Sequence, residues 1–440
     1  MNDMDTPICD FVRKYSQSEV LRVHMPGHKG TDFLGIEKYD ITEISGADSL
    51  YEADGIIRQS EENAGRLFGC NTFYSTEGSS LCIRAMLYLA VKGKKNPLVA
   101  AGRNAHKTFL SAAALLGFDI MWLMPENNGS YLSCRITAES LEDSIKNSDR
   151  IPDAVYITSP DYLGNTADIK GISEVCKKHK ILLLVDNAHG AYLKFLPESR
   201  HPMDLGADIC CDSAHKTLPV ITGGAYLHIA DEKIAKDAKN ALAMFGSTSP
   251  SYLILQSLDF ANKYLADYPE TLAKFIKSVY NFKGMLADYG YTLCGDEPLK
   301  ITVRTKPFGY TGTEFAEILR SGNIECEFAD PDFLVLMLTP ETGDGGIEKI
   351  IKAMLSVEKK EAINENPPEF GLPERVMSVR EAAFSEWETV SVSESEGRIL
   401  TAATVGCPPA VPIVCSGERI DKKAIECFEY YGIEKTEVVK

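Results

Sequence analysis

Lys216 is the residue whose surroundings point most directly to chemistry. It lies in the segment Ser213-Ala214-His215-Lys216-Thr217, directly after a short apolar run that ends at Asp212. A lysine flanked by small hydroxyl residues and a histidine suits an amine that forms an imine with a carbonyl compound. Such an amine is nucleophilic at neutral pH only when it is partly desolvated or lies near another cation. Taken alone, the segment is also open to the simpler interpretation of a surface lysine after a strand.

A carboxylate at the end of a second apolar run is the next candidate. Asp186 follows the run 181–185 and precedes Asn187-Ala188-His189-Gly190. Open α/β sheets bind ligands at the carboxyl edge of their strands, where we expect Asp186. There a carboxylate can hold the protonated pyridine nitrogen of pyridoxal phosphate, as enzymes that use this cofactor require. The alternative is an aspartate that caps the next helix.

Two further segments lie at predicted helix starts. Thr76-Glu77-Gly78-Ser79-Ser80 offers backbone N–H groups, a glycine and two hydroxyls that together suit a phosphate, although serine at a helix start is ordinary. The segment 103–108 follows another apolar run, and its His106 can present a flat ring to a planar cofactor. A surface histidine is the alternative there. The order of these features along the chain is more informative than any one segment: a possible phosphate-binding segment is followed by His106, Asp186 and Lys216.

Positioning these groups together requires strands that alternate with helices. Apolar runs predict strands at 98–101, 120–123, 154–158, 181–186, 209–212 and 224–229. Amphipathic segments, such as residues 169–176, predict helices between them. This alternation predicts a layered α/β fold with a mostly parallel sheet.

Four consecutive segments are predicted along the chain: an N-terminal arm (1–50), a large cofactor-binding domain (51–258), a small α/β domain (259–364) and a C-terminal domain (365–440). A long helical stretch over 252–289 leads into the small domain, which has apolar runs at 300–303 and 333–338. The C-terminal domain has an amphipathic segment at 379–387 and a Pro-rich stretch at 407–412, for which we expect an extended path.

The composition excludes several classes of protein. The chain has 440 residues, 44% of them hydrophobic, so it can bury a large core and is not a disordered chain. The net charge of −17 argues against nonspecific nucleic-acid binding and is compatible with attraction of cationic small molecules. No run approaches the length of a membrane span, and no secretory signal is visible.

The cysteines and histidines indicate a cytoplasmic protein without a metal. The twelve cysteines are scattered and form no CxxC pair, which fits free thiols in a reducing compartment. The eight histidines form no convincing metal cluster. His24 and His28 are four residues apart, but Pro26 and Gly27 break any helix between them. We therefore expect no metal.

The motifs around these residues resemble those of one family. The sequence is similar to the ornithine/lysine/arginine decarboxylases of pyridoxal phosphate (PLP) fold type I, in the short form without an N-terminal wing domain. The matching motifs are VHMPGHKG at 23–30, DITEISGAD at 40–48, RNAHKT at 103–108, TSPDYLG at 158–164, DNAHGA at 186–191, SAHKTLP at 213–219 and STSPSYL at 247–253. The C-terminal segments PERVMSVREA and PPAVPIVCSGE also resemble the family's final domain. The resemblance implies an aspartate aminotransferase-like fold with a mostly parallel central sheet, a small α/β domain and a C-terminal α+β domain.

The same resemblance implies a role for each motif residue. Three catalytic residues would act on the cofactor ring: Lys216 as the covalently bound amine, Asp186 on the ring nitrogen and His106 stacked on the ring. Residues expected around the phosphate are Ser79, Ser80, Ser213 and His215. Residues expected at other parts of the cofactor are Ala188 beneath the ring, His189 near the ring hydroxyl and Thr248 on the phosphate of a neighbouring subunit.

The implied reaction is decarboxylation of lysine, arginine or ornithine to the corresponding amine with release of CO2. The distal cation of such a substrate needs an acidic partner, for which Asp48 and Glu418 are candidates. A capping or surface carboxylate is the alternative for each. The sequence departs from the family at Asn187, Ser49 and Ala410, where Glu, a second acid and Gly are usual. These departures leave the choice among the three substrates open.

Other functions and the assembly follow from the same fold type. Transamination or aldol cleavage is the closest alternative reaction, although no arginine for the α-carboxylate of the substrate can be placed. A noncatalytic PLP-binding protein is a second alternative. Because sites of this fold type lie at a dimer interface, the resemblance implies a homodimer or an assembly of dimers. The N-terminal arm at 24–29 would help to build that interface.

Overall fold

The structure is a computed structural model, and it describes residues 4–125, 133–369, 371–402, 404–407 and 411–440. These residues form two compact units, each built from two stretches of the chain. The first unit contains Met1–Lys92 and Leu182–Leu272, and the second contains Gly93–Ile181 and Ala273–Lys440. The division into four consecutive segments stays a prediction.

The described residues form the following α-helices and strands. The helices are α1 (Pro7–Ser16), α2 (Ile56–Phe68), α3 (Gly78–Val91), α4 (Lys107–Leu116), α5 (Ala138–Lys146), α6 (Ile169–His179), α7 (Pro202–Leu205), α8 (Ala214–Thr217), α9 (Glu232–Ala235), α10 (Ala238–Ala243), α11 (Tyr252–Leu265), α12 (Tyr268–Tyr289), α13 (Gly312–Ser321), α14 (Gly343–Leu355), α15 (Val379–Ala383) and α16 (Lys422–Tyr430). The strands are β1 (Asn71–Ser75), β2 (Leu98–Gly102), β3 (Asp119–Leu123), β4 (Ala154–Thr158), β5 (Leu182–Asp186), β6 (Ile209–Asp212), β7 (Ala225–Ile229), β8 (Thr292–Cys294), β9 (Lys300–Arg304), β10 (Phe328–Ala329), β11 (Phe333–Met337), β12 (Trp387–Ser391), β13 (Thr404–Cys407), β14 (Val411–Cys415) and β15 (Lys435–Val439).

The central sheet has seven strands and is mostly parallel. In the first unit the strands lie in the order β1-β7-β6-β5. Strands β5 and β6 are parallel, with Asp186 opposite Cys211, whereas β7 is antiparallel to both β6 and β1. Because parallel strands share one direction, β5 and β6 end at the same edge of the sheet. Asp186 and Asp212, their last residues, therefore lie at that edge.

Burial explains why these segments became strands and helices. Leu183, Leu184 and Val185 on β5 are fully buried, as expected for a strand that is covered on both faces. Helix α3 is apolar around most of its circumference and buries eight of its residues, from Leu81 to Val91. Packing of these buried residues fixes the position of the first turn of α3, which contains Ser79 and Ser80.

The second unit contains the rest of the central sheet and three smaller sheets. Strand β2 is parallel to both β3 and β4. An antiparallel sheet has the order β10-β11-β9-β8, and two-stranded sheets join β12 to β15 and β13 to β14. A separate apolar core, including Leu400, Val414, Ile420 and Phe428, holds the C-terminal segments together.

Each of the eight apolar runs predicted as a strand is one, but several features differ. Strands β1, β8, β10, β12 and β15 were not predicted, and β13 and β14 were expected only as an extended path. The helical stretch at 252–289 is two helices, α11 and α12, and the segment at 379–387 is the short helix α15 followed by the start of β12. The Pro-rich stretch includes parts of β13 and β14, but its central residues, including Ala410, lie outside the described residues.

Candidate active site

Lys216 lies on the short helix α8, which begins two residues after the end of β6. Its side chain is half-buried, and Nζ lies 3.1 Å from Nε2 of His189. His189 belongs to the turn that follows β5. The amine predicted from the SAHKTLP motif is thus in contact with a histidine of the DNAHGA motif, although 27 residues separate the two in sequence.

Asp186 lies at the carboxyl end of β5 and is only 2% exposed. Its Oδ1 accepts a hydrogen bond from the backbone N–H of Ala188 at 3.2 Å and a weaker one from the thiol of Cys211 at 3.7 Å. A buried carboxylate at a strand end is suited to pair with a buried cation. The turn that carries Ala188 and His189 begins directly after this carboxylate.

The first turn of α3 lies beside the segment that carries Lys216. The Ser213 hydroxyl donates a hydrogen bond to Ser79 Oγ at 2.8 Å, and the Gly78 N–H donates to the carbonyl of Gly223 at 2.7 Å. Gly223 has φ +103°, and an added Cβ would lie 2.9 Å from the carbonyl oxygen of Thr76, so glycine is required there. Ser80 is half-buried in the same turn.

His215 lies next to this turn. A Cβ added to Gly78 would be 4.0 Å from Cε1 of its ring, and Nδ1 lies 2.9 Å from the carbonyl oxygen of Gly224, which makes Nδ1 the protonated nitrogen. Burial lowers the pKa of His215, so Nε2 is a neutral acceptor at neutral pH. Helix-start N–H groups and serine hydroxyls form a donor set that matches a phosphate.

These residues fit PLP as a group. The phosphate donors, the buried carboxylate and the amine with its histidine all belong to the first unit and to the ends of β5 and β6 or the start of α3. Ala188, predicted beneath the ring, is 7% exposed and has the smallest side chain that still constrains the backbone. The structure thus places together Ser79, Ser213, His215, Asp186, Ala188, His189 and Lys216.

Two further predicted cofactor residues belong to other segments of the chain. His106 belongs to the second unit and is the N-cap of α4, where its Nδ1 accepts a hydrogen bond from the N–H of Thr108 at 3.2 Å. Thr248 is exposed in the segment before α11, next to Ser247, whose N–H donates to Glu77 Oε1 at 2.6 Å. The roles predicted for these two residues stay predictions.

Asp48 does not have the free carboxylate that the substrate prediction requires. Its two oxygens accept hydrogen bonds from backbone N–H groups of five residues: Ser49, Asp54, Gly55, Ile57 and Arg58. Burial opposes ionisation of this carboxyl, but these N–H groups lower its pKa below the ordinary value. These contacts favour the alternative, a carboxylate that caps the start of α2, and the substrate role of Asp48 stays a prediction.

Glu418 is likewise committed to the fold. Its carboxylate receives both terminal nitrogens of Arg103, at 2.6 and 2.7 Å, and the N–H of Cys415 at 2.7 Å. Glu418 is 2% exposed and Arg103 is fully buried. The bound guanidinium favours a structural role for this carboxylate, and the prediction that Glu418 binds the distal cation of the substrate stays a prediction.

Sequence reasoning missed a polar cluster directly behind the site. Asp212, the last residue of β6, contacts His201 and His228, and none of the three is exposed to solvent. The ligand atoms of His201, Cys210 and Asp212 lie within 4.8 Å of one another. A polar residue that closes an apolar strand was the available signal for Asp212, but nothing local marks the two histidines.

The helices of the described chain include none that combines the length and apolar character needed to cross a membrane.

Two family models match this chain: the major domain of the Orn/Lys/Arg decarboxylases over residues 6–294 and their C-terminal domain over residues 360–436. The arginine decarboxylase of Bacillus subtilis is 30% identical to this chain over 97% of it and 93% of the relative. The solved lysine decarboxylase of Francisella novicida aligns with a TM-score of 0.83 at 17% identity over 100% of this chain and 82% of that one. The serine palmitoyltransferase of Sphingomonas wittichii aligns with a TM-score of 0.56 at 15% identity, over 68% and 75% of the two chains.

The structural matches agree with the predicted fold type I architecture. The family matches confirm the predicted cofactor, PLP, and the predicted reaction class, decarboxylation of a basic amino acid. Because the two family models match residues 6–294 and 360–436 and the Bacillus subtilis relative matches 97% of the chain, the protein belongs to the Orn/Lys/Arg decarboxylase family.

Proposed function

We propose that this chain decarboxylates arginine, releasing CO2 and forming the corresponding amine. The observation that carries the site assignment is the contact of Lys216 Nζ with His189 Nε2 at 3.1 Å, beside the buried carboxylate of Asp186. The name of the Bacillus subtilis relative, which is similar over 93% of its length, supports arginine over lysine and ornithine.

The residues of the first unit would hold the cofactor at its two ends. Bound PLP supplies a conjugated ring that takes up the electron pair left behind when CO2 departs. Lys216 contributes the amine that binds the cofactor, and Asp186 keeps a proton on the ring nitrogen. Ala188 leaves room beneath the ring. This role requires a carboxylate at position 186, because an uncharged partner would not retain that proton.

The phosphate end would be bound by hydroxyls and a helix start. Ser79, Ser80 and Ser213 donate hydrogen bonds, and the first turn of α3 adds backbone N–H groups and the positive end of its dipole. His215 packs against this turn. The hydroxyl oxygens of Ser79 and Ser213 lie 2.8 Å apart, so both can bind one anion once the Ser213 hydroxyl rotates away from Ser79.

A proton must be delivered to the product carbon after CO2 leaves. Lys216 Nζ and His189 Nε2 are close enough to exchange a proton directly, and we assign the delivery to this pair. His106 as the ring-stacking residue and Thr248 as a phosphate ligand of a neighbouring subunit complete the proposed site.

We further propose a cytoplasmic homodimer, or an assembly of such dimers, that supplies an amine to polyamine biosynthesis. Large apolar side chains on the arm between α1 and α2 are more than half exposed: Val20, Leu21, Val23, Phe33 and Leu34. A second copy of the chain would cover them. The cysteines whose side chains the structure describes are all unpaired as disulfides, which favours a reducing compartment.

One assay tests the proposed activity. Purified protein with added PLP is given arginine, lysine or ornithine, and CO2, product amine and keto acid are measured. We expect CO2 and amine in equal amounts from arginine at the highest kcat/KM. The Lys216→Ala variant should lose turnover and the visible absorbance of bound cofactor, whereas Lys263→Ala, at an exposed position of α11, should retain both. Keto acid without CO2 would favour transamination, and bound cofactor without turnover would favour a noncatalytic protein.

A further inference from the structure

Asp212 is the centre of a buried hydrogen-bond network directly behind the proposed site. Its Oδ2 lies 3.0 Å from Nε2 of His201 and 3.1 Å from Nε2 of His228. Its Oδ1 accepts a hydrogen bond from the side-chain amide of Asn187 at 2.7 Å. We call these four residues the Asp212 network. Both oxygens of this carboxylate thus have hydrogen-bond partners from different segments of the first unit.

The protonation of the two histidines follows from their other contacts. Nδ1 of His201 accepts the N–H of Met203 at 3.4 Å, so His201 is neutral and its Nε2 donates to Asp212. Nδ1 of His228 lies 3.0 Å from the hydroxyl of Thr72, which itself donates to the carbonyl of Cys70 at 3.4 Å. The Thr72 hydroxyl can therefore accept from His228, and His228 donates from both ring nitrogens as a cation.

The electrostatics agree with this arrangement. Burial alone would raise the pKa of Asp212, but the two histidines hold it well below the ordinary value. Burial would lower the pKa of His228, but the Asp212 carboxylate raises it to about 9. Burial lowers the pKa of His201. The network therefore contains one anion, one cation and one neutral histidine at neutral pH.

Asn187 connects this network to the site residues. Its N–H donates to the carbonyl of Cys211 at 2.9 Å, and its carbonyl accepts the N–H of Gly190 at 2.7 Å. The side-chain amide of Asn187 has its Oδ1 packed against Gly190, so closely that a Cβ added there would collide with it. Its nitrogen faces Asp212. Asn187 is therefore held at both its main chain and its side chain.

The turn that Asn187 begins carries two contacts of the site. Ala188 donates its N–H to the carboxylate of Asp186, and His189 contacts the amine of Lys216. If Asn187 shifted, both contacts would shift with it. The Asp212–Asn187 hydrogen bond thus joins the end of β6, which leads to Lys216, to the end of β5, which carries Asp186.

We propose that Asp212 and Asn187 are a matched pair of positioning residues that align Asp186 and His189 with Lys216 for cofactor binding. The match is one of charge: an acid at position 187 would place a second carboxylate against the buried, ionised Asp212, which is strongly unfavourable. Asparagine at this position, where the family usually has Glu, is thereby explained by its partner. The proposal rests on the proposed function only for the identity of the cofactor.

Exchanging the two side chains tests the pairing. In Asn187→Asp the two carboxylates repel each other. In the double variant Asn187→Asp/Asp212→Asn, the amide of residue 212 can direct its oxygen to the histidines and its nitrogen to the new carboxylate, so the hydrogen bond is restored in reverse. PLP affinity of the apoprotein, the visible spectrum of the bound cofactor and the thermal midpoint of the apoprotein are measured for each variant.

We expect Asn187→Asp to weaken PLP binding at least tenfold and to alter the spectrum, and the double variant to return PLP affinity to within about threefold of wild type. A purely structural pair would lower the thermal midpoint without changing PLP affinity of the folded protein, and that result would overturn the proposal. So would a double variant that binds PLP no better than Asn187→Asp.

Two further measurements are needed. The first distinguishes the Asp212 network from a metal site, and the second separates the test of the Asp212–Asn187 pair from the test of arginine decarboxylation. We expect elemental analysis of the wild-type protein to find no stoichiometric metal. A metal that is present in wild type and lost in Asp212→Asn would overturn the proposal, because a metal held by His201, Cys210 and Asp212 would replace the hydrogen bonds. PLP affinity is independent of the amino acid that is decarboxylated. A wild type that binds PLP but does not turn over arginine would therefore contradict the proposed function and leave the test of the pairing intact.

Discussion

The guanidinium of Arg103 and the carboxylate of Glu418 form a two-pronged buried ion pair although 315 residues separate them. The guanidinium also lies over the ring of Trp122, with 4.7 Å between the guanidinium carbon and the ring centroid. Arg103 begins the connection from β2 to α4 that carries His106. In the second unit, the C-terminal segment is therefore fastened to the segment that presents a predicted cofactor residue.

The first prediction concerns Glu418→Gln. The substitution leaves a buried guanidinium without its counter-charge, and removal of one partner of a buried pair costs about 3–5 kcal/mol. We expect the free energy of unfolding, measured in urea, to fall by about 3 kcal/mol, because glutamine retains part of the hydrogen bonding. KM for arginine should stay within about twofold of wild type, because no substrate contact is lost.

Glu434→Gln, at an exposed position of the same C-terminal segment, is the matched control and should leave both quantities unchanged. A raised KM with unaltered stability would return Glu418 to the substrate pocket and contradict its role as the buried partner of Arg103.

Local patterns were sufficient for the apolar strands and the motifs but not for contacts between residues that are distant in sequence. An apolar run closed by a polar residue is a local feature, and it located Asp186 and the segment leading to Lys216. The partners of Glu418 and Asp212 come from distant stretches, and no spacing rule relates Glu418 to Arg103. Both predicted substrate carboxylates have partners in the structure that the sequence did not reveal, because a sequence lists acids without showing which cations or N–H groups contact them.

Two of the differences in the fold have different causes. Strand β1 has the sequence Asn-Thr-Phe-Tyr-Ser, in which two adjacent aromatic residues lie between polar ones, so it has neither an apolar run nor a regular alternation to indicate a strand. The break between α11 and α12 does have a local signal: Pro269 is the second residue of α12, a position that proline favours because it lies in the first turn.

The second prediction concerns Asp48→Asn. Asparagine can replace only part of the five backbone hydrogen bonds that the carboxylate accepts, and it lacks the charge that favours a helix start. We expect a loss of about 1 kcal/mol in the free energy of unfolding, with KM for arginine unchanged. Asp54→Asn, at the exposed neighbouring position, should change neither. A KM effect without a stability effect would support a substrate contact instead.

The third prediction concerns the phosphate donors. Ser79→Ala and Ser213→Ala each remove one hydroxyl of the pair that is joined at 2.8 Å. A hydrogen bond to a charged group is worth about 1.5–3 kcal/mol, so we expect PLP affinity to fall about tenfold or more in each variant. Equilibrium binding to the apoprotein provides the measurement, and Ser144→Ala on α5 is the control. Unchanged affinity in both variants would place the phosphate elsewhere.

The fourth prediction concerns the pH dependence of stability. The pKa of His228 is raised from 6.5 to about 9 by the carboxylate of Asp212, despite the opposing effect of burial. Below pH 6.5 the folded and the unfolded chain both bind this proton, so the stabilisation by the ion pair is fully present. As the pH rises toward 9, the unfolded chain releases the proton first, and the stabilisation is lost.

Urea unfolding measured from about pH 6 to 10 should therefore show wild-type stability falling by about 3 kcal/mol more than that of His228→Gln. Burial lowers the pKa of both His201 and His215, so these two histidines change the stability only below pH 6.5. Burial raises the pKa of cysteines such as Cys82 and Cys211, which therefore also destabilise the protein as the pH approaches 9, but they do so in both proteins and cancel in the difference between wild type and His228→Gln. His179→Gln, on the surface end of α6, should retain the wild-type slope. Parallel curves for wild type and His228→Gln would mean that His228 is neutral in the folded protein, and Asp212 would then be the only charge in its network.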